Sequence, residues 1–513
     1  MKKSISIVLT LLLIIQVLSL RVFIASAATS GYYTYEVSDG TATITKADRS
    51  ISGNITIPPT LGGYPVTSIG DGAFYDCHNL ISVNIPDGVI TVGNYAFYNC
   101  PRLTSVNIPN SVIGVGNAAF AGCRQLISIQ VSVGNANYCE VDGVLFNKNK
   151  TILICHPGGK STITYTVPNS VITIGDYAFE NCTNLTSITI PGGVTGIGES
   201  AFAWCLKLTS ITIPNSVANI GHMAFYNCKS LTSITIPASV ISIGERAFGA
   251  CSRLVFCQVS ADNANYCAVD GVLFNKDKTR LVVYPVKKSA TTYTIPNGVT
   301  SIGDYTFENC INLTSVTIPD SVTNIGNNAF FSCDSLTSVT IGNSVTSIGK
   351  QAFSDCYDLT TIIIPKSVVE IKNYAFDHCM ELTDVWYGGT QQDKAQIEIG
   401  DDNGDLLNAT WHYVVPTTTT TKKPTTTTSS SGETTTISSN KTTTTPPAFS
   451  IVNTTSSSNT TVTTVPTEED VNQDSAPQDG FPVLWAVIIG AAAVLLGAAA
   501  VALGFVIGKK ARK

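Results

Sequence analysis

The chain has 513 residues, 30 of them Lys or Arg and 36 Asp or Glu, for a formal net charge of −6. Seven of the cations lie in the first 27 and last five residues, which leaves 23 cations against 36 acids between them, a net charge of about −13. That balance excludes a nucleic-acid binder, whose affinity rests on Lys and Arg against phosphates, and fifteen cysteines spread over this length exclude a small disulfide scaffold.

Met1, Lys2 and Lys3 precede an apolar run from Ile5 to Leu20 and the small residues of "ASAA". Residues 1–27 therefore read as a secretory signal cut after Ala27, with an uncleaved N-terminal anchor as the alternative, since Arg21 interrupts the approach to the cleavage site.

A repeat then governs the chain. Its phenylalanines are Phe74, Phe97 and Phe120; Phe179, Phe202, Phe225 and Phe248; and Phe307, Phe330, Phe353 and Phe376. The step is 23 residues within each block and 59 between blocks. Two related segments, "NANYCEVDGVLFNKNKT" from Asn135 and "NANYCAVDGVLFNKDKT" from Asn263, fill the gaps. Their separation equals that of Phe179 and Phe307, so a long unit is duplicated in tandem. Units of 23 residues are too short to bury a core alone and must stack as a solenoid.

Within one unit, Ile188 and Ile190 alternate with Ser187 and Thr189, the period of a half-buried strand. Pro191 ends that strand because it has no N–H to donate. "GGVTGIGES" is expected to form a turn and a second extended piece, with Gly193 and Gly198 available for positive φ. "ESAFAWCLKL" is expected to form a short helical or 3₁₀ turn with Ala201, Phe202 and Cys205 on one side.

Residues 416–480 hold 23 threonines in 65 positions and too little apolar surface to fold, which marks a disordered stalk. Residues 481–508 contain no charge, long enough for one transmembrane helix, and Lys509, Lys510, Arg512 and Lys513 follow as a basic tail at 509–513. Positive charge beyond the span puts the C-terminus in the cytoplasm and the repeats outside, as a single-pass cell-membrane protein.

Eleven cysteines stand three residues after a repeat phenylalanine, Cys182, Cys205 and Cys228 among them. A position fixed in every coil is a core position, where a thiol acts as a small hydrophobe. Cys257, at the place of Ile129, Ile188, Ile211 and Ile234, points the same way. Disulfides between coils and metal binding are the alternatives; no CxxC spacing supports the latter. The five histidines are scattered, with no HExxH and no GxSxG, so neither an enzyme nor a cofactor site is expected. "GDDNGD" from Gly400 is faintly like an acidic calcium loop but lacks the EF-hand spacing, and a solvated loop accounts for it better.

The outward strand positions form two rows. Ser187, Ser210, Ser233, Ser315 and Ser338 belong to one, and Thr189, Thr212, Thr235, Thr317 and Thr340 to the other. Stacked at ~4.8 Å they make a long hydroxyl face with almost no charge. It is either a solvated strand face that keeps the array soluble or, with turn aromatics such as Tyr75, Tyr98 and Tyr226, a docking surface.

The pattern AFxxCxxLTSITIPxxVTxIG, carried by eleven copies, resembles the leucine-rich repeats of the BspA-like (treponemal-type) bacterial surface proteins. The resemblance implies a β-rich leucine-rich repeat solenoid over 67–381, with hairpin insertions near 135–165 and 263–293. It also implies an N-terminal cap at 28–66, which holds "YTYEVSDGTATITK" from Tyr33, and a C-terminal cap at 382–415. It further implies adhesion or protein–protein interaction with a host or neighbouring-cell surface protein. A polysaccharide ligand on the Ser/Thr face and a passive spacer without ligand are the alternatives.

Overall fold

The computed structural model describes residues 27–414. The expected signal up to residue 26, the threonine-rich segment, the apolar span 481–508 and the basic tail lie outside the described residues.

The chain winds into a β-solenoid of about 16 turns built on coils of about 23 residues. Each repeat coil contributes one strand to each of two parallel ladders. In the first, Ser187–Thr189 pairs with Thr164–Thr166 before it and Ser210–Ile211 after it. In the second, Gly196–Ile197 pairs with Thr173–Ile174 and Asn219–Ile220. Register is tight because the inward residues are Ile or Val in coil after coil, and a slip of one residue would turn every one of them to solvent.

The third side of the coil differs from the expected helical or 3₁₀ turn. It is a run of hydrogen-bonded turns in which the residues two before and two after the phenylalanine take positive φ, as at Tyr177 and Asn181, both at 59°. Its backbone bonds run between coils: Phe179 N–H donates to Ala201 O at 2.7 Å and Phe202 N–H to Ala224 O at 2.7 Å. An α-helix would keep those donors to itself. Gly193 and Gly198 also do not take positive φ. Gly198 is needed for room instead, since a Cβ there would stand 2.6 Å from the backbone N of Asp176 in the preceding coil.

All eleven phenylalanines are buried. Within blocks their rings stack along the axis with centroids 4.7 to 5.7 Å apart. This continuous aromatic column takes each ring out of water on both faces and contributes offset-stacking energy beyond the buried area.

The two insertions are part of the wall. Tyr138–Val141 and Val144–Asn147 form a hairpin whose turn, Asp142 and Gly143, has φ of 51° and 76°, the two left-handed residues of a type I′ turn. The hairpin then pairs with Ile152–Cys155, which starts a new second ladder by lying parallel to Thr173–Ile174. It closes the ladders left behind. The Tyr138 hydroxyl accepts Val115 N–H at 2.8 Å, and Gly143 O accepts Ile129 N–H at 3.0 Å. The second copy repeats this with Tyr266 on Ile243 and Gly271 on Cys257. Asn135, fully buried, locks the hinge: its amide donates to Pro109 O and Val112 O, and its oxygen accepts the N–H groups of Asn137 and Tyr138.

Each later column is extended by one ring from the insertion before it. His156 and Tyr284 each stand one repeat step before a repeat phenylalanine: His156 stacks on Phe179 at 5.1 Å, and Tyr284 lies tilted against Phe307 at 4.9 Å.

At the N-terminal end, Tyr33–Ser38 and Thr41–Ala47 form an antiparallel pair whose second strand starts the second ladder beside Tyr64–Ile69. At the other end the segment read as a calcium-like or solvated loop supplies a buried cap. Asn403 is 1% exposed, and its side-chain oxygen accepts Phe376 N–H at 3.0 Å, the bond that another coil's carbonyl would otherwise make. The helices among the described residues, Gln391–Lys394 and Gly404–Asn408, belong to this end, and neither is long and apolar enough to cross a membrane.

Candidate functional site

The first ladder presents the two expected rows outward, because a strand points alternate side chains to opposite faces. Thr189, Thr212, Thr235, Thr317 and Thr340 are all exposed. Ser187, Ser233, Ser315 and Ser338 are half-buried beside them, and Ser210 is exposed. The rows do not run unbroken. Ser187 and Ser210 lie in register in one sheet, Ser233 and Thr235 begin another beside Phe256 and Gln258, and Ser315, Thr317, Ser338 and Thr340 share a third. Thr212 lies just past the end of its two-residue strand.

Some hydroxyls bond along the rows: Ser338 Oγ to Ser315 Oγ at 3.2 Å, and Thr235 Oγ1 to Gln258 Oε1 at 3.2 Å. Toward the N-terminus the Thr row becomes an amide ladder, with Asn107 donating to Asn84 at 3.1 Å.

Toward the C-terminus the same rows change character. In register after Thr340 come Ile363, Trp386 and His412, and after Ser338 come Thr361, Asp384 and Thr410. Trp386 is 47% exposed, and His412 stacks on it with centroids 4.0 Å apart. His412 Nε2 meets Asp384 Oδ1 at 2.7 Å. That bond, with a second from the Thr383 hydroxyl, holds the Asp384 carboxyl below the usual carboxylate range. Sequence reasoning missed this aromatic end of the face. Trp386 stands one regular repeat step after Ile363 and could have been found by counting, but His412 follows at a longer step because the cap adds residues.

The turn tyrosines are less available than expected. Tyr75 is 41% exposed and stacks on Tyr98 at 5.4 Å, whereas Tyr226 is covered by the guanidinium of Arg246 at 4.7 Å.

All fifteen cysteines are free thiols, thirteen of them buried. In the repeats after the first, Sγ donates to the carbonyl of the column residue one coil earlier: Cys205 to Phe179 and Cys228 to Phe202 at 3.2 Å, Cys182 to His156 at 3.5 Å. The thiol is thus a small apolar filler that also ties one coil to the next, a use the spacing alone did not reveal. Burial pushes Cys77, Cys155 and Cys257 up to about 12 and raises Cys205 and Cys228 further, which disfavours the thiolate that a nucleophile or a metal ligand needs. Among the described residues no group of three or more His, Cys, Asp or Glu side chains could hold a metal ion.

A family profile described as the BspA type leucine-rich repeat region, in six copies, matches residues 52–151, 158–267 and 285–393. Among solved structures, the chain is 32% identical to a leucine-rich cell surface protein of Faecalibacterium prausnitzii, over 73% of this chain and 97% of that one, with a TM-score of 0.47. It is 22% identical to the pneumococcal vaccine antigen PcpA, over 74% and 86%, with a TM-score of 0.44. With a leucine-rich repeat protein of Bacteroides ovatus the identity is 24%, over 76% and 100%, with a TM-score of 0.33. No curated protein matches the chain.

Proposed function

The chain belongs to the BspA-type leucine-rich repeat family, and we propose that it is a membrane-anchored surface protein whose solenoid docks a protein partner on the first-ladder face. A broad, rigid surface of this kind suits protein–protein interaction. The observation that carries the reading is the chain of outward positions from Thr317 and Thr340 through Ile363 to the exposed Trp386. Hydroxyl rows there lead to an aromatic anchor flanked by Ile363 and His412, the mix of an apolar centre and a polar rim that marks an interface hot spot. Location and anchoring rest on the sequence: the leader, the threonine-rich stalk, and the uncharged span followed by four cations. Adhesion to a host or neighbouring cell follows as the use of such a display. No catalytic role is part of the proposal.

A polysaccharide ligand is the second reading, and Trp386 favours it too, since the part of the indole that His412 leaves exposed, beside Asp384, can contact a sugar. Trp386→Ala separates the face from the rest of the surface. It should weaken binding of the cognate partner at least tenfold, and unchanged affinity would move the site to the turns or the hairpins. Displacement by soluble oligosaccharide would select the second reading.

A further inference from the structure

The tandem duplication writes the same junction twice, and the two copies differ at a buried carboxylate. In the second copy Glu308 is 2% exposed and is paired with Arg246. Arg246 Nε donates to Glu308 Oε2 at 3.3 Å, and Nη2 donates to Oε1. The guanidinium lies 4.7 Å from the ring centroid of Tyr226 and 4.1 Å from that of Tyr305. A buried carboxylate is thus neutralised by a cation held between two aromatic rings, an arrangement that gains from both the ion pair and the ring quadrupoles.

In the first copy Glu180, Tyr98 and Tyr177 occupy the positions of Glu308, Tyr226 and Tyr305, but Ala118 stands where Arg246 does. Glu180 is 7% exposed. Its Oε1 accepts from the Tyr98 hydroxyl at 3.2 Å, while its Oε2 has no partner. Leaving a buried carboxylate oxygen unmatched is costly, and burial pushes the Glu180 carboxyl up to about 7, against the opposing effects of the Tyr98 hydrogen bond, the exposed Arg124 and the Gly122 backbone. A cavity of about 260 Å³ lies on the other side of Ala118 and Tyr177, toward Tyr138 and Ile152 of the insertion; Glu180, Tyr95 and Tyr98 do not line it.

Tyr95, where the second copy has Met223, spans part of this region. Its ring centroid is 5.6 Å from that of Tyr98 and 5.8 Å from that of Tyr177. It is 37% exposed, and its hydroxyl lies 3.2 Å from that of Tyr177, so a guanidinium entering here has to displace that contact. The surroundings are acidic: the Tyr177 hydroxyl donates to Glu199 at 2.8 Å, and Asp176 accepts from Asn117 at 3.0 Å.

We propose that the first junction is a binding site for a guanidinium group supplied from outside the chain, seated against Glu180 and the rings of Tyr95, Tyr98 and Tyr177 as Arg246 is seated in the second junction. The second copy shows which cation this frame accepts; the first lacks that side chain and carries Tyr95 in place of Met223. The source is either a small guanidino compound or an exposed arginine side chain of a partner.

The test is calorimetric titration of the full chain with N-butylguanidinium, its neutral isostere N-butylurea, and a short peptide with one central arginine. One saturable site for butylguanidinium is expected, with at least tenfold weaker binding of butylurea. Glu180→Gln should weaken butylguanidinium binding at least tenfold. Ala118→Arg should abolish it and raise the melting temperature by supplying the cation from within. Binding of the peptide as tight as that of butylguanidinium identifies a partner's arginine as the source, and binding of the small compound alone identifies a free ligand. Absence of saturable butylguanidinium binding to the wild-type chain, equal binding of butylurea, or unchanged binding in the folded Ala118→Arg protein would overturn the proposal.

Discussion

The imidazole of His156 lies on the ring of Phe179, centroids 5.1 Å apart and planes 25° from parallel, at the position where the repeats carry phenylalanine. Its Nδ1 is 3.3 Å from Cys182 Sγ, and its Nε2 has no partner. A titratable ring has therefore been placed in an apolar column.

Burial brings the His156 pKa down to about 4 from an ordinary 6.5. Because the folded state resists the proton that the unfolded chain takes up, stability is lost as pH falls from 6.5 toward 4, by about 3 kcal/mol in all. His156→Phe should remove this loss. In urea titrations at pH 4.5 the variant should exceed the wild type by about 2 to 3 kcal/mol, and at pH 7.5 the two should be close. Equal acid sensitivity of the two proteins would show that the ring is not buried neutral.

Glu180 works in the opposite sense. Its folded pKa is raised to about 7 from 4.5 by desolvation, so the folded state holds a proton that the unfolded chain releases, and stability falls as pH rises from 4.5 to 7, by about 3 kcal/mol. Glu180→Gln should lack this fall. Between pH 4.5 and 6.5 the two residues offset each other in the wild type. The single variants should therefore show opposite slopes there, and parallel slopes would contradict the assignment.

Arg246→Ala leaves Glu308 buried without its cation, which costs about 3 to 5 kcal/mol for a pair of this kind. Replacing both partners with apolar residues should cost less, because no charge is then stranded. Denaturation midpoints of the single and double variants check the order, and a double variant less stable than Arg246→Ala would refute the account.

Thiol titration addresses the cysteines. Thirteen of the fifteen are buried, Cys139 and Cys267 being partly exposed. The native protein should present no more than these two to a thiol reagent, and all fifteen should react in denaturant without reductant. Far fewer than fifteen in denaturant would mean disulfides.

Much of this architecture was legible because the repeat is strict. The phenylalanines, in step 23 within each block, stack in a column in each block, Cys257 occupies a strand position paired with Ile234, and Ser187 to Thr189 is a strand ended before Pro191. What stayed hidden depends on partners distant in sequence. Nothing local to Tyr138 says that its hydroxyl will accept Val115 N–H, and nothing in "GDDNGD" says that Asn403 will cap Phe376. The turns looked helical because a cluster such as Ala201, Phe202 and Cys205 suits one helix face, whereas Phe202 N–H donates to Ala224 O of the next coil and Cys205 N–H only three residues back, to Phe202 O. At the candidate site the Ser and Thr rows were visible from alternation. Their breaks, and the change to Trp386 and His412, were not, since the rows were read from the regular coils alone.

Whether the first-ladder face receives a protein is the central claim, and direct binding tests it best. Residues 28–415 and the variant carrying Thr317→Lys, Thr340→Lys and Trp386→Ala would be titrated against immobilised matrix proteins and insoluble polysaccharides at two salt concentrations. The account predicts saturable binding to a protein that the variant loses. Binding to no protein on the panel, or equal binding by the variant, would contradict it.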